Sequence, residues 1–204
     1  VKSGWIGQNC PGVEVRISSE GEVLVRSEAT MQGYFKEPGK TAETLTLDGS
    51  LRTGDKGEQD EEGNLRLTGR IKEIFKTSKG KFVAPAPIEN RMAVDTRLEQ
   101  ICVVGEGMVQ PLAICVLSEA GRSAANGEGR IELESALRSL LAQINGELDK
   151  HEQLRGIVLV KDVWAVENGY LTPTLKIKRA VIESSYGKHF EDWLQRCDAV
   201  LWQE

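Results

Sequence analysis

The chain has 204 residues, 40% hydrophobic and 28% charged, enough for one large or two small domains whose cores need no disulfide or metal staple. No apolar run approaches bilayer-spanning length, which excludes a transmembrane segment. The four isolated cysteines, Cys10, Cys102, Cys115 and Cys197, fit neither a zinc cluster nor a secreted disulfide framework, so a reducing, cytoplasmic setting is expected. Net charge is −5, yet the positive charge is gathered at Arg70 to Lys81 and at Lys176 to Arg179, a pattern that suits a compact anionic ligand and argues against a nucleic-acid-binding face.

Val13 to Ile17 and Glu22 to Arg26 alternate apolar and polar residues around Ser19-Glu20-Gly21, which predicts a hairpin. Lys56 to Gln59 and Leu65 to Thr68 predict a second, closed by the acidic, glycine-containing turn Asp60 to Asn64. Between the hairpins, Thr53-Gly54-Asp55 reads as a tight turn. Beyond Lys72, Pro85 and Pro87 are expected to stiffen a loop leading into a short helix from Ile88, followed by strands at Ile101 to Val104 and Leu112 to Leu117. Ser118 to Arg130, rich in Gly, Ala and Ser, reads as a loop.

From Glu132 to Leu148, Leu133, Leu137, Leu140, Leu141, Ile144 and Leu148 recur at spacings of three and four, the mark of one helical face packed on a core. A strand at Ile157 to Val160 and a last helix from Arg179 to Trp193 complete the outline. His151 and His189 read as surface residues and the cysteines as small buried hydrophobes. Trp193, Trp202, Phe190 and Leu194 suit either packing of the last helix or contact with a membrane surface, and their spacing favours packing. Val1 is no natural start and nothing after it resembles a signal peptide, so the chain is expected to be cut from a longer protein.

Three segments carry candidate chemistry, each with a plain structural alternative. The run Gly69 to Pro85 sets closely spaced cations beside a glycine, which can hold phosphate oxygens or simply form a solvated loop. Asp55 can accept hydrogen bonds from two ribose hydroxyls, or be an ordinary turn residue. Lys176, in the stretch Leu171-Thr172-Pro173-Thr174-Leu175-Lys176, can reach a neighbouring site or stand in solvent.

Taken in order, these segments resemble the adenylate-forming superfamily of acyl-CoA synthetases, luciferases and peptide-synthetase adenylation domains. The likeness rests on Gly21 to Arg26 with Gly33-Tyr34-Phe35-Lys36-Glu37-Pro38 and Thr41, on Thr53-Gly54-Asp55, on Gly69-Arg70-Ile71-Lys72-Glu73, and on Lys176-Ile177-Lys178-Arg179. Thr-Pro-Thr before Lys176 looks most like the long-chain fatty acid branch, with Leu175 where other branches carry glycine.

The resemblance implies an α+β fold. A small antiparallel β subdomain at residues 1–70 would end the large AMP-binding body, and a mobile mixed α/β C-terminal domain would follow at 71–204. It implies a fatty acid–CoA ligase using ATP, Mg2+ and CoA, with Lys176 as the adenylation lysine and Asp55 and Arg70 holding the nucleotide. Lys72 would be the hinge, and Lys76 and Gly80 would lie on the CoA side. The phosphate loop, adenine segment and acyl pocket belong to an N-terminal body missing here, so the fragment alone is expected to be inactive. It would be cytoplasmic, with peripheral membrane contact as an added possibility. The competing readings are a non-catalytic nucleotide-sensing or interaction module and another adenylating branch, luciferase-like or an aromatic-acid CoA ligase.

Overall fold

In the computed structural model, which describes residues 4–127, 129–196 and 198–203, the chain divides into two units, Val1–Ile74 and Phe75–Glu204. Strands β1 (Glu14–Ile17), β2 (Glu22–Arg26), β3 (Leu51–Gln59) and β4 (Leu65–Arg70) of the first unit form an antiparallel meander in chain order. Both predicted hairpins are present. The second has longer strands than its alternation showed, so Asp55 lies within β3 and not in a tight turn. Gly54 bends that strand with a φ of 72°, a conformation glycine adopts without steric cost, and this is what reads as a turn in the sequence. A short helix α1 (Pro38–Thr44) precedes β3, and a 3₁₀ turn (Ile71–Glu73) follows β4.

The second unit opens with the small hairpin β5 (Phe75–Lys76) and β6 (Phe82–Val83) and the helix α2 (Pro85–Met92). Pro85 occupies the first turn of α2, where a missing N–H costs nothing, so the expected proline loop is already helix. The unit is built on one mixed sheet ordered β10 (Val200–Trp202), β9 (Ile157–Val160), β8 (Leu112–Leu117) and β7 (Leu98–Val104). Strands β10, β9 and β8 are parallel, and β7 is an antiparallel edge strand.

The near-continuous apolar runs of these strands follow from burial on both faces. Ile101, Val103, Ala113, Cys115, Ile157 and Leu159 pack with Ile88 and Met92 of α2 and with Leu133, Leu137, Leu141 and Ile144 of α4 (Gly129–Glu147). Their neighbours Cys102, Val104, Ile114, Val158 and Leu201 pack with Ile182 and Tyr186 of α5 (Arg179–Tyr186) and Trp193 of α6 (Phe190–Gln195).

The fold is α+β, with further departures from the sequence reading. The expected loop after Ser118 holds helix α3 (Glu119–Ala124), whose N-cap Ser118 accepts a hydrogen bond from the Gly121 N–H. The last helix is broken by a 3₁₀ turn at Gly187–His189, and β10 was not foreseen. The histidines are partly covered, and His189 stacks on Trp193 with ring centroids 5.4 Å apart. Cys102 and Cys115 are buried, whereas Cys10 is exposed and Cys197 lies outside the described residues. Trp193 is buried, and Trp202 donates its indole N–H to Glu134. Among the described residues no helix is long and apolar enough to cross a membrane.

Candidate functional site

In the first unit, the pairing of β3 with β4 sets Asp55 directly opposite Arg70. Arg70 Nε donates to Asp55 Oδ1 at 2.9 Å, with the guanidinium half exposed and the carboxylate mostly covered. Two residues fifteen positions apart in sequence therefore meet because of strand register. The approach to Asp55 is braced from below by Glu22, whose side chain is 8% exposed. Its carboxylate accepts the Gly54 N–H at 3.0 Å and ion-pairs with Arg52 at 3.1 Å. Thr53 adds a hydrogen bond from its hydroxyl to the Val23 carbonyl, and the same hydroxyl accepts the Asp55 N–H. Arg70 and Lys72, with Glu22, Arg52 and Gly54, line a cleft of about 710 Å³. A carboxylate held beside a guanidinium at a cleft wall can bind hydroxyls and a phosphate oxygen together.

Lys72 is exposed in the 3₁₀ turn that closes this unit. Lys76 and Gly80 share the β5–β6 hairpin. The Thr77 N–H donates to the Lys81 carbonyl and the Gly80 N–H to the Thr77 carbonyl, with Gly80 at a φ of 77° where glycine fits without strain. The Lys76 carbonyl accepts the Gly107 N–H and the Ser78 N–H reaches the Met108 carbonyl, so the 105–108 turn supports this hairpin. Lys76 Nζ stands 5.6 Å from the Phe82 ring centroid.

Lys176 projects from a tight loop. The Leu175 N–H donates to the Thr172 carbonyl, the Thr172 N–H to the Lys176 carbonyl and the Lys176 N–H to the Thr172 hydroxyl, and a bridge joins Leu171 to Ile177. Leu175 carries a φ of 60°, a conformation that costs an L-residue about 1–2 kcal/mol. Leucine thus takes the left-handed conformation at the position where the resemblance expects glycine. Lys176 is exposed.

Sequence reasoning assigned no role to Glu22, Glu89 or Arg179. The signal for Glu22 and Arg179 lay in the same motif runs as the predicted residues, and that for Glu89 in the Pro-Ala-Pro-Ile-Glu stretch, but nothing in the sequence marks them as buried. Arg179, at the start of α5, donates to both carboxylate oxygens of Glu89 on α2, at 2.9 and 3.1 Å. Nearby, burial pushes the Glu183 carboxyl above the usual range, opposed by Arg179 and reinforced by Glu106. Among the described residues no group of three or more His, Cys, Asp or Glu side chains is placed to hold a metal ion.

Residues 72–197 match the model of the AMP-binding enzyme C-terminal domain. The chain is 34% identical over 187 residues to long-chain-fatty-acid–CoA ligase 1 of Cavia porcellus, covering 85% of this chain and 27% of that protein. It is 31% identical over 204 residues to long-chain-fatty-acid–CoA ligase FadD15 of Mycobacterium tuberculosis, covering 94% and 34%. The chain therefore spans about a third or less of these curated relatives. Among solved structures, the A domain of the carboxylic acid reductase from Segniliparus rugosus, in complex with AMP and a co-purified carboxylic acid, matches with a TM-score of 0.73. Identity is 26%, over 89% of this chain and 31% of that one. The adenylation domain of the carboxylate reductase from Mycobacterium chelonae, at 24% identity and a TM-score of 0.76 over 90% and 31% of the two chains, shares the fold. With the motifs, the fold and the matched model in agreement, the chain belongs to the AMP-binding enzyme C-terminal domain family, the carboxy-terminal part of adenylate-forming enzymes.

Proposed function

We propose that this chain is the C-terminal portion of an ATP-dependent fatty acid–CoA ligase that works in the cytoplasm. In the first half-reaction the acid's carboxylate attacks the α-phosphorus of ATP, forming the acyl adenylate and releasing pyrophosphate. In the second, the CoA thiol attacks the acyl carbon, and AMP leaves as the thioester forms. Lys176 stabilises the charge gathering on the α-phosphate in the first transition state, where a preorganised cation counts most. Asp55 takes the ribose hydroxyls of the nucleotide and Arg70 contacts ribose or phosphate.

Residues 1–70 belong to the large body, and 71–204 form a mobile domain turning about Lys72, which rebuilds one active site for each half-reaction. Lys76 and Gly80 lie on the CoA side. Mg2+ enters with the ATP phosphates. The phosphate loop, adenine segment and acyl pocket are supplied by the rest of the whole protein, so the fragment alone is inactive.

The observation that carries this reading is the cross-strand pairing of Asp55 with Arg70 beside an open cleft, and the names of the relatives support the fatty acid class. The test is product mass spectrometry after the whole protein is incubated with ATP, magnesium, CoA and a mixture of short to long fatty acids. Long-chain acyl-CoA with matching AMP is the expected result. Absence of any thioester overturns the reading.

A further inference from the structure

Strand β7 is the edge of its sheet, and Val103 sits at a position whose backbone groups face outward. Its partner Ala113 turns its own N–H to Gly156 on the opposite side. An edge strand with open N–H and C=O groups needs cover. Here the cover is an ion pair. Glu89 accepts the Val103 N–H at 2.7 Å, and Arg179 donates to the Val103 carbonyl at 2.6 Å and to the Cys102 sulfur at 3.2 Å. The two side chains are joined through both carboxylate oxygens and are only 11% and 15% exposed for Arg179 and Glu89.

Glu89 comes from a helix packed on one face of the sheet and Arg179 from a helix packed on the other. The pair therefore clasps the edge strand from both sides. It also fixes the point where the Lys176 loop ends, since Arg179 lies three residues beyond Lys176 and the Lys178 N–H is held by the Tyr170 carbonyl at 2.8 Å.

A buried ion pair is a poor device for stability alone, because well-packed apolar residues of similar size do as well or better. We infer that Arg179 and Glu89 are positioning residues for adenylation: by clasping β7 they hold the base of the loop that presents Lys176, without touching substrate. This rests on the proposed role of Lys176. A lysine displaced by an ångström loses much of its effect on a transition state, and the loss reaches about 100-fold.

The test uses the whole protein and the double substitution Glu89→Met with Arg179→Met, which removes both charges together and so avoids stranding one. Three readouts are taken: fatty-acid-dependent ATP–pyrophosphate exchange, thioester formation from supplied acyl adenylate, and amide hydrogen exchange over residues 171–178. The expected result is an exchange rate lower by about 10- to 100-fold, thioester formation within a few-fold of wild type, and faster amide exchange in the loop, in a protein that stays folded with a lowered melting temperature because the Val103 N–H and carbonyl lose their partners. Arg179→Lys, which keeps the charge but offers a single donor nitrogen in place of the guanidinium fork, retains part of the exchange rate. Unchanged pyrophosphate exchange in the folded double variant overturns the inference, as does an equal fall in both half-reactions with loop protection intact. If wild-type protein shows no pyrophosphate exchange, the proposed function fails. The clasp is then judged by loop protection alone, and unchanged protection overturns it.

Discussion

The two units present their candidate residues by opposite means. Asp55 and Arg70 sit on adjacent strands, so the sheet's own hydrogen bonds set their separation and a half-exposed ion pair finishes the job. Lys176 stands on an exposed loop outside the sheet's strands, and its position depends on a left-handed Leu175 and on a buried ion pair at the loop's base. A residue carried by a ladder needs little further support, whereas one carried by a loop needs an anchor in the core. The difference predicts where substitutions cost stability and where they cost only function.

The largest stability effect is expected from Arg179→Met alone, which leaves Glu89 buried without its charge partner and costs the second unit about 3–5 kcal/mol. Denaturant unfolding of the whole protein, followed by Trp164 and Trp193 fluorescence from that unit's core, measures it. A loss comparable to that of a surface pair would erase the contrast. Asp55→Asn marks the other side. Its ion pair is too exposed to matter much for folding, at about 1 kcal/mol or less, while AMP affinity by calorimetry falls about 10- to 100-fold through loss of charge-assisted hydrogen bonds. Large unfolding with unchanged AMP binding would reverse the assignment.

Leu175→Gly sharpens the description of the loop. Relief of the left-handed strain outweighs the added backbone entropy of glycine, and the melting temperature rises by the equivalent of less than about 1 kcal/mol. A fall would place the value of Leu175 in its side chain.

The smallest effect comes from Glu183→Gln. Burial raises the folded carboxyl above its ordinary 4.5, so between the two values the folded state holds the proton and the unfolded state does not. Stability then falls as pH rises through that window. The substitution gives a small gain at pH 7 and none well below pH 4.5, read from melting temperatures at both pH values. A gain that is equal at the two pH values contradicts the cause given.

The long apolar runs and the helical period of Leu133 to Ile144 made the second unit's sheet and its largest helix legible, because burial on both faces leaves strands almost without polar residues. The elements that escaped notice have little burial or depend on distant partners. Helix α1 buries no residue and α3 only Gly121, so neither leaves a period to read. Strand β10 has three residues and exists through its parallel pairing with β9, more than forty positions away.

The Asp55–Arg70 contact was legible only as two separate motif residues. Their meeting depends on hairpin register, which shifts between Lys56 and Gly57. Glu89 and Arg179 are ninety positions apart, and nothing local marks two ordinary charged residues as a buried pair.

The central claim is that Lys176, anchored this way, serves the adenylation half-reaction. The most direct test is Lys176→Ala in the whole protein, with each half-reaction assayed separately. The account predicts that fatty-acid-dependent ATP–pyrophosphate exchange falls by about 100- to 1,000-fold, while thioester formation from supplied acyl adenylate falls far less. An equal loss in both would contradict it.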